Sequence, residues 1–231
     1  MTHDVLAFAP IVLLGAVAGL DVVSFPQAMI SRPIAAATLA GAMMGNPGRG
    51  VVAGAMLELF ALETLPFGAS RYPEWGSAGV VGGALFVAQP AGTAGALTVA
   101  VCAALMTASA GTWTMVWHRR LIARWAAGMR GALTGGSGSA VTALQLRGIV
   151  SDALRAGLLT AVALLAFAPL EPRILARWTF NDVESRAVLA ILAGMVAGGA
   201  IWKIVHGTKG TAWFLLAGVA VGAMLLLVTG S

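Results

Sequence analysis

Apolar residues run along this 231-residue chain in long blocks, and the length of each block carries more information than any alternation inside it. Four blocks are clean: Gly92 to Trp117, Ala153 to Leu170, Ala187 to Ile204 and Thr211 to Thr229, each bounded by charge or by Gly and Pro. A bilayer core is about 30 Å thick and a spanning helix needs roughly 17 to 25 apolar residues, so each block predicts a crossing. Val5 to Leu20, Gln27 to Met44, Val51 to Phe67 and the short run Gly79 to Val87 are less regular. The pattern predicts an all-α polytopic integral membrane protein with roughly seven to eight membrane segments, including broken or re-entrant helices in the N-terminal half.

The interruptions concentrate early. From Asp21 to Trp75 the apolar runs are cut by DVVSFPQAMISRP, GNPGRG and LPFGASRYPEWG, whereas from Gly92 onward they are cleaner. Irregular backbone at membrane depth is tolerated where protein buries it or where it lines a cavity. The chain therefore divides into a membrane region of interrupted helices with the expected substrate site (1–117), a basic loop and linker (118–152) and C-terminal membrane helices (153–231). The middle segment begins as a basic helix with Leu121, Ile122 and Trp125 on one side and ends in a Gly/Ser linker. Its start either lies along the headgroup plane or is a short helix in an exposed loop. No repeat with a period of about 20 to 50 residues is visible.

Composition identifies the solvent. The chain is 59% hydrophobic and 10% charged, against about 25% charged in soluble domains, and its mean hydropathy is +0.89. Fourteen basic and nine acidic residues cannot coat a soluble protein of this length, so the lipid bilayer must do the covering. The start MTHDVLAF lacks a basic n-region, which predicts that the first segment stays in the mature protein. The single cysteine, Cys102, lies inside an apolar run and reads as a packing residue, with no second thiol for a disulfide or a metal cluster.

Charge then orients the second half. Between His118 and Arg155 stand Arg119, Arg120, Arg124, Arg130 and Arg147, with Asp152 the one acid, and such an excess beside helix ends marks a cytoplasmic segment. Ala153 to Leu170 leads out, Glu171 to Arg186 lies outside, and Lys203, His206 and Lys209 lie inside again, which puts Ser231 outside. The first half has too few charges to orient. The net charge of +5 reads as topology and contact with anionic lipid, and nucleic acid is not an expected partner.

Two acids inside a greasy run, Glu58 and Glu63 of AMLELFALETLP, are the first candidates for chemistry. An ionisable group near the bilayer centre costs at least about 2.5–3.5 kcal/mol and marks a functional site by default. On a straight helix, side chains five residues apart point about 140° apart, so one or both acids must use a break, which Pro66 and Gly68 supply. The alternative for Glu58 is an internal ion pair or a helix cap; for Glu63 it is a helix end within reach of interfacial water. Arg32 is the natural counter-charge, because Pro33 disfavours helix at the residue before it; otherwise Arg32 snorkels to a membrane surface. Half-helices whose open ends face a midplane cavity are a recurring transporter device. Gln27, Ser31, Asn46 and Thr64 add neutral hydrogen bonds suited to a polyhydroxylated ligand, while Tyr72 or Trp75 either stacks on a sugar face or anchors at the interface. GGSG at Gly135 to Gly138 has the form of an intramembrane serine protease motif, but it lies in the basic segment with no mid-helix histidine to serve as a base. His3, His118 and His206 are scattered near predicted helix ends, so no metal and no cofactor are expected.

Taken together, the stretch from Phe25 to Gly76 resembles the IIC membrane subunit of mannose/fructose/sorbose-type phosphotransferase systems. The matching pieces are Arg32-Pro33, Gly45-Asn46, Leu57-Glu58, Pro66 to Gly68 and Pro73-Glu74, and the last of these adds Glu74 to the candidate site. The resemblance implies a sugar permease of the bacterial cell membrane that carries a hexose and forms homo- or hetero-oligomers. It also implies a IID membrane subunit and cytoplasmic IIA and IIB phosphoryl carriers as partners. The phosphorylated histidines of such systems are on IIA and IIB, so no catalytic residue is expected on this chain. Asn46 stands where the family frequently has an acid, Glu63 where it usually has Gly, and Glu74 where it has Asp. Two other readings stay open: an ion- or proton-coupled transporter of another small solute with Glu58 and Glu63 as proton carriers, and a receptor or structural subunit that transports nothing.

Overall fold

A computed structural model describes residues 8–64, 72–206 and 210–229. Among these residues the regular elements are all helical: α1 (Ala9–Val23), α2 (Pro33–Met43), α3 (Pro47–Ala61) with a 3-10 turn at Leu62–Thr64, α4 (Trp75–Ala88), α5 (Ala96–Gly128), α6 (Arg130–Thr134), α7 (Gly138–Leu175), α8 (Asp182–Val205) and α9 (Thr211–Thr229). Among the described residues three stretches are long and apolar enough to cross a membrane, Ala96–Gly128, Gly138–Leu175 and Asp182–Lys203, and shorter apolar helices accompany them. With 11, 15 and 14 residues, α2, α3 and α4 reach only about 16–23 Å at 1.5 Å per residue and fall short of a core about 30 Å thick. The broken first half and clean second half expected from the sequence are both present.

Proline sets where the short helices start. Arg32 is extended (φ −63°, ψ 133°) because Pro33 follows it, and Pro33 then opens α2. Residues 24–32 are consequently not helical, so the apolar run Gln27 to Met44 yields a helix only in its second part. Asn46 caps α3 by accepting from the Arg49 amide at 3.0 Å, with Pro47 in the first turn.

α2 and α3 form an antiparallel hairpin, and α4 lies along it with no side chain to separate the backbones. A Cβ placed on Gly54 would be 2.6 Å from the Ile34 Cα, one on Gly50 2.9 Å from the Thr38 Cα, and one on Gly83 2.8 Å from the Ala37 Cα. Small residues permit this approach, which provides van der Waals attraction where lipid offers no hydrophobic drive. Gly83→Leu should therefore cost at least about 1–3 kcal/mol through overpacking, read as a lower melting temperature in detergent. Gly199→Leu on α8, where an added Cβ meets nothing within 4 Å, should leave that temperature unchanged. α1 runs antiparallel to α7, with Gly15 against Thr160 and Gly19 against Ala156. Leu57, Val80, Val81, Leu85, Val101 and Leu164 fill the centre of the assembly.

Residues 118–152, expected as a basic loop that begins as a helix and ends in a Gly/Ser linker, are mostly helical. α5 continues past Trp117 to Gly128 and α7 begins at Gly138, so the non-helical backbone is confined to Met129 and Gly135–Ser137. Ser137 starts α7 by accepting from the Ala140 amide at 3.3 Å, which gives the GGSG motif a capping role. Cys102, expected as a packing residue, is exposed on α5.

Candidate functional site

The break before α2 is organised by an acid that the sequence reading did not single out. Asp21, 3% exposed at the end of α1, accepts from the Ala28 amide at 2.6 Å, the Ser31 amide at 2.9 Å and the Ser31 hydroxyl at 2.8 Å. Its carboxylate holds a tight loop with a cis Phe25-Pro26 bond and left-handed Gln27 (φ 58°) and Met29 (φ 61°). That loop delivers Arg32 to Glu58. The two side chains form an ion pair, and the second Glu58 oxygen accepts from the Ile34 amide at 3.2 Å. A carboxylate on α3 thus occupies one of the orphan donors at the start of α2 and opposes the positive end of that helix. The Arg32 side chain remains 48% exposed and that of Glu58 20%.

Glu63 faces elsewhere. It pairs with Lys203 of α8 at 2.9 Å and borders a cavity of about 190 Å³ with Phe60, Pro73, Trp75, Leu105, Ala108, Ser109 and Val196. Trp75 lines this crevice, whereas Tyr72 contributes its carbonyl to the Thr112 hydroxyl at 3.2 Å. Thr64 closes the 3-10 turn, and its side chain lies outside the described residues.

Glu74, in turn, is a buried anchor. It is 5% exposed and pairs with Arg155, whose Nε also donates to Asp152 at 3.0 Å. Ser77 donates to Glu74 at 3.1 Å and Thr114 accepts from Arg155 at 3.2 Å. His118 completes the group, with Nδ1 3.6 Å from Asp152 and Nε2 2.8 Å from the Ser151 hydroxyl. The cluster clamps α4, α5 and α7 together. In the sequence, Asp152, Arg155 and His118 belong to a charged segment, and its one acid, three residues before an arginine, is the signal that marks the cluster. A further buried acid, Glu171, accepts from Gln89 at 3.0 Å. It lies about 28 Å along α7 from Asp152 at 1.5 Å per residue, so the two acids bracket a length close to the bilayer core.

The predicted site residues are therefore only partly gathered. Arg32 and Glu58 meet, Ser31 is tied to Asp21, and Gln27 is exposed in the same loop. Asn46 sits at the opposite end of α3 from Glu58, where it caps the helix. Asn46→Ala should cost about 1 kcal/mol of stability, seen in thermal unfolding, and leave transport per folded molecule unchanged.

Short helices that start on prolines, with charges paired at their ends beside a crevice and long helices around them, define a polytopic membrane protein of the carrier class. The sequence profile of the PTS system sorbose-specific IIC component matches residues 5–230, so the chain belongs to that family, the sugar-translocating membrane subunits of phosphotransferase systems. No curated protein matches the chain. A solved structure described as a membrane protein has a similar fold, with a TM-score of 0.73 and 20% identity over 100% of this chain and 93% of that one. The mannose transporter ManYZ in complex with microcin E492 is also similar, with a TM-score of 0.62 and 19% identity over 100% of this chain and 97% of that chain.

Proposed function

We propose that the sugar is a hexose and that it binds in the crevice between the end of α3, the start of α4, α5 and α8. The observation that carries this reading is the cavity of about 190 Å³ beside Glu63, Trp75 and Ser109, at the same end of α3 as the accessible Arg32–Glu58 pair. This is small beside the roughly 300–1,000 Å³ of drug-sized sites and suits one compact polyol. In the crevice Trp75 offers an apolar face to sugar C–H groups and Glu63 accepts from hydroxyls, while Glu58 and Arg32, outside its lining, would meet the sugar on its way in or out. Gln27 and Ser31 belong to the loop that delivers Arg32, and Glu74 positions the start of α4.

In this reading the protein sits in a bacterial cell membrane with a IID membrane subunit. A cytoplasmic IIB domain, recharged by IIA, phosphorylates the sugar on arrival. Residues 118–152 face the cytoplasm by their charge, so α7 leads outward. α1, antiparallel to α7, then runs inward and brings Asp21 to the cytoplasmic side. Cells expressing the chain with IIA, IIB and IID should accumulate a labelled hexose as its phosphate. Trp75→Ala should raise the half-saturating sugar concentration about tenfold, the loss expected from one to two kcal/mol of stacking. Uptake that needs no phosphoryl donor and collapses with an uncoupler would replace this reading by the proton-coupled one.

A further inference from the structure

Where α5 and α7 extend beyond the apolar spans they enclose a groove that the sugar crevice does not touch. It has a volume of about 570 Å³ and is lined by Trp125 of α5 and by Leu146, Arg147, Val150, Ser151 and Leu154 of α7. Leu146, Val150 and Leu154 recur every fourth residue and so share one helix face. The face continues with Leu158, Val162 and Leu165, and all six are 51–65% exposed. An apolar track therefore leads from the groove along the spanning part of α7. At its other end the charge is of one sign. Arg147 is exposed, as are Arg120, Arg124 and Arg130 on α5 and α6, and no acid occurs from His118 to Ser151.

We propose that this groove binds one anionic phospholipid, with the phosphate on Arg147 and its basic neighbours and an acyl chain along the α7 track. Half a bilayer core is about 15 Å, or roughly ten helical residues, which takes a chain past Leu146, Val150 and Leu154. The headgroup lies level with Trp125, an amphipathic ring of the kind enriched at that depth. Charge selects an anion, and the continuity of the apolar track with the membrane-facing side of α7 selects a lipid over an acidic soluble protein, which would leave that track uncovered. The bound lipid also reaches inward, because Ser151 lines the groove and holds His118 at 2.8 Å.

The test uses the purified full-length protein in detergent with equal amounts of phosphatidylglycerol and phosphatidylcholine of identical chains, read by native mass spectrometry. The protein should retain phosphatidylglycerol about fivefold over phosphatidylcholine for each basic residue engaged. Arg147→Gln should lower that preference about fivefold, while Arg173→Gln, near the far end of α7, should not. Equal retention of the two lipids, or a preference that survives Arg124→Gln and Arg147→Gln together, would overturn the assignment. Because Arg147 is exposed, its variant should elute as the parent does. A photo-crosslinking amino acid at Leu146 in cells should add the mass of a phospholipid. Attachment to a soluble protein in its place would make the groove a protein-docking site and refute the lipid, as would displacement of phosphatidylglycerol by soluble glycerol phosphate.

Discussion

Replacing Arg155 by methionine is expected to leave almost no folded protein. The Arg155 side chain is 8% exposed and serves Glu74 and Asp152, whose side chains are 3% and 6% exposed. Removing the cation strands two carboxylates inside the protein. Breaking one buried pair in this way costs about 3–5 kcal/mol, against a total stability of about 5–15 kcal/mol for ordinary domains. The yield of monodisperse protein in mild detergent should fall at least tenfold and the surviving fraction should melt far below the parent. Adding Glu74→Gln and Asp152→Asn to the same chain removes the stranded charge and should recover much of the yield. If Arg155→Met alone melts within a few degrees of the parent, the cluster is not a clamp.

Glu58→Gln is expected to produce the opposite phenotype: a folded protein that transports poorly. The amide retains an oxygen that can accept from the Ile34 amide, so the cap on α2 survives, and Arg32 is exposed enough for solvent to accept the loss of its partner. What disappears is the negative charge. A hydrogen bond to a charged group contributes about 1.5–3 kcal/mol, so initial uptake of hexose at low concentration should fall roughly 10- to 100-fold with an unchanged amount of protein in the membrane. Glu58→Ala should add a stability defect, because the α2 amide then loses its partner. Normal uptake by Glu58→Gln would remove this residue from the sugar site and leave it as a cap.

These two experiments separate what the chain order reveals from what it hides. Pro33 announced a break in the helix at Arg32 through a local rule, and the paired charges Arg32 and Glu58 stood out because each interrupts an apolar run. Glu63 stood out equally, yet its partner is Lys203 on α8, a pairing no local pattern announces. The Glu74–Arg155 bond spans 81 positions, and its members looked like turn and loop residues until α4, α5 and α7 came together. Asp21 was hidden differently: its partners are mostly backbone amides of the loop that follows, which leave no signature in side-chain identity. The Gly/Ser linker is visible in the sequence but its extent is not: three residues suffice to turn between two helices.

The glycine contacts among α2, α3 and α4 also restrict how such a molecule can move. Atoms already touching along their main chains have no compliant layer through which to slide, so these three rods must travel as one body. α8 is joined to this body through its contacts with α3 and the 3-10 turn and through an ion pair in which both partners are about half exposed or more. Bonds of that kind break at little cost, so α8 is held to the three-helix body less firmly than its helices are held to one another.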